Sequence, residues 1–183
     1  MNNQETYLIE IAGVKRALPL FRVKPGLRIA VLNILGDTEL VQVAAAALAK
    51  KLENISYDLF VTAEAKAIPL AYALSVETGK PYIVLRKSYK SYMGAAIIAE
   101  TLSITTGEPQ TLILDEKDQE LARGKKVVLV DDVISTGSTL EGMKTVMQKA
   151  GAEVVCEAAI LTEGDREQWI NVISLGHLPL FPD

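Results

Sequence analysis

Residues 127–140, with the sequence VVLVDDVISTGSTL, carry the clearest structural pattern in this chain. Residues 127–130 form an unbroken apolar run, which is typical of a central parallel strand buried on both faces. Two carboxylates, Asp131 and Asp132, come directly after the run, and a loop rich in serine, threonine and glycine then leads into helical periodicity over residues 139–150. The stretch therefore predicts a strand, a loop and a helix, with a ligand site at the carboxyl end of the strand.

Short apolar runs and helical patterns alternate on both sides of that stretch. They predict βαβ units around a mainly parallel, twisted sheet flanked by helices, which is an α/β fold. The predicted strands are residues 57–62, 81–85, 127–130 and 153–161. The predicted helices are one capped by Asp37 or Thr38 and running to about Leu52, one from residue 68 that stops at Gly79, and one over residues 139–150. Residues 101–105 and 111–115 predict an antiparallel hairpin that would act as a flap, and residues 88–99 predict a loop that closes over a ligand.

The loop after the two acids has the composition of a phosphate site. It offers hydroxyl groups, the unpaired amides of a helix N-terminus and a glycine that allows close approach of the backbone; its residues are Ser135, Thr136, Gly137, Ser138 and Thr139. The two acids would then meet sugar hydroxyls or Mg²⁺. One alternative is that the hydroxyls only cap the helix while the acids are solvated. Another is a receiver domain, but its acids belong near the start of the domain, whereas most of this sheet precedes them.

Composition argues against several classes of function. The chain of 183 residues is 49% apolar, enough for the core of one compact domain, and its net charge of −4 disfavours binding to nucleic acid. A single cysteine, Cys156, and a single histidine, His177, argue against a disulfide framework and a zinc cluster, and they indicate a reducing compartment. Because the N-terminus lacks a signal-peptide pattern and no apolar run is long enough to span a membrane, we expect a cytoplasmic protein.

The segment VVLVDDVISTGST resembles the phosphoribosyl-pyrophosphate (PRPP) signature of type I phosphoribosyltransferases, and the likeness extends over most of the chain. Residues 18–27 (LPLFRVKPGL) are similar to the N-terminal Pro-x-Phe…Pro-Gly segment of the adenine, or purine, group of that family. Residues 62–67 (TAEAKA) stand where that group has its Glu-Ala-Arg-Gly pyrophosphate loop, and residues 85–87 (LRK) match its Arg-Lys before a mobile loop. The resemblance implies a type I phosphoribosyltransferase fold, with one domain over residues 1–183 and residues 1–36 as a hood.

The resemblance also implies a role for each part of the site. Asp131 and Asp132 would face the ribose hydroxyls and hold Mg²⁺, directly or indirectly, with Lys66 as the third catalytic residue. The 5′-phosphate of PRPP would bind Ser135, Thr136, Gly137, Ser138 and Thr139. The pyrophosphate would bind Glu64, Ala65, Lys66, Arg86 and Lys87, and the base would bind Arg28 and Ala30. The implied partners are PRPP, a nucleobase and a second copy of the chain, with no nucleic acid and no membrane.

Departures from the adenine group bear on the substrate. Lys66 replaces an arginine, Ala30 replaces another, and Thr105 and Thr106 replace a glutamate and a tyrosine. We therefore expect a phosphoribosyltransferase that makes a nucleoside 5′-monophosphate and pyrophosphate from PRPP and a purine base, with adenine a poorer substrate than a 6-oxopurine or another base. The alternative is a regulatory protein of the same fold that senses PRPP or a nucleotide without catalysis.

Overall fold

The computed structural model describes residues 5–102 and 109–182. Its strands are β1 at Thr6–Ile11, β2 at Val14–Lys24, β3 at Leu27–Ala30, β4 at Leu59–Ala63, β5 at Tyr82–Leu85, β6 at Ile97–Leu102, β7 at Pro109–Leu114, β8 at Lys126–Ile134, β9 at Glu153–Glu163 and β10 at Ile173–Leu178. Its α-helices are α1 at Thr38–Leu52, α2 at Ile68–Thr78, α3 at Glu116–Ala122 and α4 at Ser138–Lys149. Short 3₁₀ turns lie at Ser91–Met93 and Glu167–Trp169.

The central sheet is parallel and has the strand order β10-β9-β8-β4-β5. β8 lies in the middle, and its apolar residues alternate between two cores as the unbroken run predicts. Val128 and Val130 pack with residues of α1 and α2, whereas Val127 and Leu129 pack with residues of α4. The helices therefore cover both faces of the sheet, and the predicted α/β architecture is confirmed.

β8 is longer than the predicted strand. It runs to Ile134, because its pairing with β9 continues to the register position of Ile134 and Thr162. Asp131 and Asp132 consequently lie within the last half of the strand and not beyond its end. The backbone of both acids is fixed by the sheet ladder.

The strands β1, β2 and β3 of the predicted hood were absent from the sequence prediction, and beyond residue 36 so were β10 and α3. β10 adds a fifth strand to the sheet, and Gly176 and His177 interrupt its apolar pattern, which hides it in the sequence. α3 is short and mostly polar, so it lacks an apolar stripe long enough to recognise.

The predicted hairpin exists but is displaced along the chain. β6 and β7 pair antiparallel from Ile97 opposite Leu114 to Leu102 opposite Pro109. The first strand of the hairpin therefore starts at Ile97 and not at residue 101. The end of the predicted loop over residues 88–99 is consequently part of a strand. The positions Thr105 and Thr106, on which the substrate expectation partly rests, lie outside the described residues.

The hood is an antiparallel sheet of β1, β2 and β3. Its buried side chains include Ile11 and Leu18, which belong to the same core cluster as Leu40 and Leu48 of α1. Arg28 of β3 also exchanges backbone hydrogen bonds with Phe181, at 2.7 and 3.0 Å. The three strands of the hood therefore pack on α1 through their buried side chains, and β3 also pairs with the C-terminal segment of the chain at Phe181.

Among the described residues, no helix has the length and apolarity needed to cross a membrane.

Asp37 ties the hood to α1. Its Oδ1 accepts the backbone N–H of Leu40 at 3.1 Å as the N-cap of that helix. Both of its oxygens also accept from the Arg16 guanidinium of β2, at 2.7 and 2.8 Å, and Arg16 reaches Glu39 at 2.8 Å. The Arg16 hydrogen bond is the largest of the effects that lower the pKa of Asp37.

We expect Asp37→Ala to lower the free energy of unfolding by about 1–2 kcal/mol, because the helix loses its cap together with the hood contact. Asp37→Asn keeps an acceptor for the cap and should cost less. Urea denaturation of both variants measures the loss, with Glu39→Gln on the exposed side of the same cluster as the control. An Asp37→Ala loss no larger than that of Glu39→Gln would contradict the role of Asp37.

Candidate functional site

Three loops meet at the carboxyl edge of the parallel sheet. One follows β4 at residue 64, one follows β5 at residue 86, and one follows β8 at residue 135. These strands are neighbours in the order β8-β4-β5, so their carboxyl ends lie side by side. The predicted pyrophosphate and phosphate residues are thus brought to one edge, where ligands bind in α/β sheets.

Asp131 and Asp132 form a close acidic pair on the central strand. Asp132 is buried, with 5% of its surface exposed, and Asp131 is half-buried. The Asp131 carboxylate accepts the backbone N–H of Asp132 at 2.9 Å. Burial raises the pKa of Asp131, and the neighbouring charge of Asp132 raises it further. The pair is electrostatically strained and favours an electropositive or hydrogen-bond-donating ligand.

Lys66 supplies a cation to this pair. Its Nζ lies 3.3 Å from Oδ2 of Asp132, and its side chain is half-exposed. Among the described residues, that same Oδ2 atom is buried and has no hydrogen-bond partner. The ion pair thus leaves Asp132 short of a donor, which is a position for a ligand hydroxyl.

Glu64 contacts the neighbouring loop and not Lys66. Its carboxylate accepts from Nε of Arg86 and from the backbone N–H of Lys87, both at 2.9 Å. The hydrogen bond from Lys87 is the main cause that lowers the pKa of Glu64. Glu64 therefore joins the loops after β4 and β5, whereas Lys66 contacts Asp132 of β8.

Arg86 also joins this edge to the hairpin. Its backbone N–H and C=O form hydrogen bonds with Ile113 of β7, both at 2.9 Å. The Tyr92 hydroxyl and then Glu64 raise the pKa of its guanidinium. Ala65 follows Glu64 through a cis peptide bond. Arg86 and Lys87 therefore bring positive charge to the end of β5, on the same edge of the sheet as Lys66.

The loop after β8 has the form of an anion cradle. Gly137 is the N-cap of α4 with a φ of 78°, and no side chain caps the helix. Thr136 Oγ1 lies 3.1 Å from the hydroxyl oxygen of Ser138, and the first helical bond runs from Glu141 N–H to the Gly137 carbonyl. A cavity of about 30 Å³ is lined by Asp131 and residues 133–140, which include Ser135 and Thr139. The alternative in which the hydroxyls serve as helix caps is therefore not favoured.

The two residues expected to meet the base occupy different environments in the hood. Arg28 donates to Glu5 at 2.7 Å and to the Pro182 carbonyl at 3.2 Å. Ala30 is 2% exposed and belongs to the core cluster under the hood. Only the Arg28 side chain therefore reaches the surface, and it is held there by an ion pair.

Sequence reasoning missed two residues beside this edge. Glu163, the last residue of β9, is buried, and burial raises the pKa of its carboxyl group. Trp169 lies against Gly137 of the cradle. A glutamate at the end of a predicted strand and a lone tryptophan in a polar loop were the available signals, but neither belongs to a recognisable spacing.

The chain was compared with known proteins. Residues 31–173 match the family described as phosphoribosyl transferase domain. A hypoxanthine/guanine phosphoribosyltransferase of Methanobacterium lacus is 35% identical over 129 residues, which are 70% of this chain and 64% of that protein. An adenine phosphoribosyltransferase of Thermosipho africanus is 34% identical over 147 residues, which are 78% of this chain and 84% of that protein.

Solved structures agree in fold. The adenine phosphoribosyltransferase of Thermoanaerobacter pseudethanolicus superposes with a TM-score of 0.69 at 20% identity, covering 94% of this chain and 95% of that one. That likeness confirms the fold expected from the PRPP signature. Taken with the match over residues 31–173, it shows that the chain belongs to the phosphoribosyltransferase family.

Proposed function

We propose that this protein is a purine-type phosphoribosyltransferase, which transfers the 5-phosphoribosyl group of PRPP to a nucleobase and releases pyrophosphate. The observation that carries the proposal is the meeting of Asp131, Asp132 and the cradle of residues 135–139 on one strand end, with Lys66 beside them. A phosphorylated sugar fits this combination, because the cradle suits its phosphate and the acids suit its hydroxyls. The relatives named above as hypoxanthine/guanine and adenine enzymes support a purine as the acceptor.

The reaction breaks the bond from C1′ of the ribose to the pyrophosphate oxygen and forms a bond from C1′ to a ring nitrogen of the base. Positive charge grows on the ribose and negative charge grows on the leaving pyrophosphate. Asp131 and Asp132 lie where they would accept the ribose hydroxyls and stabilise the cationic sugar. Residues 135–139 would hold the 5′-phosphate and so fix the orientation of C1′, which supplies much of the acceleration in such a reaction.

Lys66 would stabilise the leaving group. Its Nζ is near Asp132 and its side chain is half-exposed, so it can turn toward a pyrophosphate bound after β4. Arg86 and Lys87 would add positive charge there, although Glu64 already holds the Nε of Arg86. We assign Glu64 to positioning these two residues and not to direct contact with pyrophosphate, whereas Ala65 stays a predicted pyrophosphate contact.

Mg²⁺ fits this site only with help from the substrate. The described residues contain no cluster of three or more acidic, histidine or cysteine ligands, but Asp131 and Asp132 offer adjacent carboxylates with one buried oxygen lacking a hydrogen bond. Mg²⁺ commonly binds through one or two carboxylates together with substrate phosphates and water. Asp131 and Asp132 would hold it, directly or through water, and it would neutralise charge on the pyrophosphate.

The finer parts of the proposal concern the base and the assembly. We assign the base to the space between the hood and the sheet edge, with Arg28 as the candidate contact; Ala30 would contribute only through the backbone. The division into a hood of residues 1–36 on one domain, the homodimer and the cytoplasmic location remain predictions. No contact with nucleic acid or a membrane is part of the proposal.

We expect product formation from PRPP, Mg²⁺ and a purine base, with adenine turned over less well than a 6-oxopurine. A panel of adenine, guanine, hypoxanthine, xanthine and pyrimidine bases, read out as nucleoside monophosphate and pyrophosphate, measures this directly. PRPP binding without product for any base would replace the enzyme by the PRPP-sensing alternative. Failure of PRPP to bind, measured by titration calorimetry with Mg²⁺ present, would overturn both.

We expect Lys66→Ala to lower turnover by on the order of 10²-fold, while nucleoside monophosphate binding changes by less than about threefold. The reason is that the monophosphate lacks the pyrophosphate that Lys66 faces. Lys66→Arg is the matched control, because it keeps the cation and should retain most of the activity. Equal losses in turnover and in monophosphate affinity would remove Lys66 from this role.

We expect Asp131→Asn to abolish turnover but to raise the melting temperature of the ligand-free protein. The pKa of Asp131 is raised in the folded state, so wild-type stability falls as the pH rises above the ordinary pKa of a carboxyl group. The gain in the variant should therefore be larger at about pH 8 than at about pH 5. Glu153→Gln, at an exposed position of β9, is the control and should show no such gain. If Asp131→Asn were less stable than the wild type at both pH values, the Asp131 carboxylate would not be the source of the destabilising charge.

A further inference from the structure

Trp169 lies in the turn between β9 and β10 and is anchored at its polar end. Its indole Nε1 donates to the backbone carbonyl of Glu163 at 3.0 Å. The ring is half-buried and packs against the core cluster that contains Leu140 and Met143 of α4. One hydrogen bond and one apolar contact therefore fix the ring in a single position.

The far edge of that ring lies against the phosphate cradle. A β-carbon built on Gly137 would lie 2.7 Å from Cη2 and 3.4 Å from Cζ3 of Trp169. The tryptophan thus fills the space that any side chain at residue 137 would need. Gly137 is required here for two independent reasons, its φ of 78° and the presence of the indole.

The contact falls at the point where the cradle turns into α4. Gly137 precedes Ser138, the first residue of the helix, and its carbonyl accepts the first helical hydrogen bond from Glu141. A shift of Gly137 would consequently move the amides of the first turn. The indole edge restricts that shift from one side, since the ring is held by its hydrogen bond to Glu163 and by its contact with the apolar cluster of α4.

We propose that Trp169 is a positioning residue for phosphate binding, whose indole holds Gly137 and the following amides in the conformation that receives the 5′-phosphate of PRPP. The inference rests on the proposed function, because it assigns the cradle to that phosphate. Trp169 acts through Gly137 and makes no contact with the substrate. Its effect should therefore appear in the affinity for ligands that carry the 5′-phosphate and be absent for pyrophosphate, which lies near Lys66.

We expect Trp169→Leu to weaken PRPP binding about tenfold in titration calorimetry with Mg²⁺, and to raise the KM for PRPP by a similar factor. Pyrophosphate affinity and kcat at saturating PRPP should stay within about twofold of wild type. Trp169→Phe keeps an aromatic ring but loses the hydrogen bond to the Glu163 carbonyl. Its PRPP affinity should therefore lie between those of the wild type and Trp169→Leu. Ile170→Ala, at the exposed next position of the same turn, is the control and should match wild type.

A merely structural role predicts a different pattern. In that case Trp169→Leu would lower the melting temperature but leave PRPP affinity unchanged in the folded protein, which would overturn the proposal. Equal weakening of PRPP and pyrophosphate would also overturn it, because the effect would then not be confined to the cradle.

Fluorescence supplies a second, independent test. Trp169 is the only tryptophan in the 183-residue chain, so tryptophan emission comes from the side chain beside the cradle. PRPP should change the emission of the wild-type protein with the same Kd that calorimetry gives. An emission change produced by pyrophosphate and not by PRPP would overturn the role of Trp169 and leave the proposed function intact. Absence of calorimetric binding to the wild type would instead overturn the proposed function and, with it, this inference.

Discussion

The parallel pairing of β8 between β4 and β9 positions both the apolar core and the acidic pair of this protein. It buries the apolar half of β8 on both faces, and each fully buried Val or Leu side chain there contributes about 1.5–3 kcal/mol of transfer free energy. The same ladder continues through Asp131 and Asp132, so burial of the strand holds two carboxylates close together. The stability of the sheet thus offsets the repulsion between two carboxylates that would not be held together in a free loop.

The loops at the carboxyl edge of the sheet carry charged side chains that pair with one another and with Asp132. Glu64 binds the loop after β5, whereas Lys66, two residues later, binds the acid on β8. One short loop after β4 therefore contacts both neighbouring strand ends, with opposite charges directed to opposite sides. Arg86 extends the connection to the hairpin through its backbone pairing with Ile113. This arrangement orders the edge before a ligand binds, which reduces the entropy lost on binding.

The parts that could be predicted are those in which local pattern and tertiary role agree. The run at residues 127–130 predicted a central strand, and Gly79 ends α2 in the left-handed conformation expected of a helix stop. β10 could not be found, because its pairing with β9 outweighs a weak local pattern that includes Gly176. In the site, motif spacing identified which residues gather at the sheet edge. It did not show that Glu64 binds Arg86 while Lys66 binds Asp132, because those contacts depend on strand order, which no local pattern contains. The contact of Trp169 with Gly137 joins distant segments for the same reason.

The replacement of arginine by Lys66 is consistent with a cation that changes partner. An ion pair with one half-exposed member contributes about 0–1 kcal/mol, so release of Lys66 from Asp132 costs little on the lysine side. Release alone would leave Asp132 as a buried carboxylate without a neighbouring cation, which is costly. A ribose hydroxyl that donates to Asp132 would remove that cost and free Lys66 for the pyrophosphate at the same time. In the proposed reaction, sugar binding and leaving-group stabilisation would thus be coupled through one carboxylate oxygen, and a flexible ammonium group would suit this exchange better than a bidentate guanidinium fixed on Asp132.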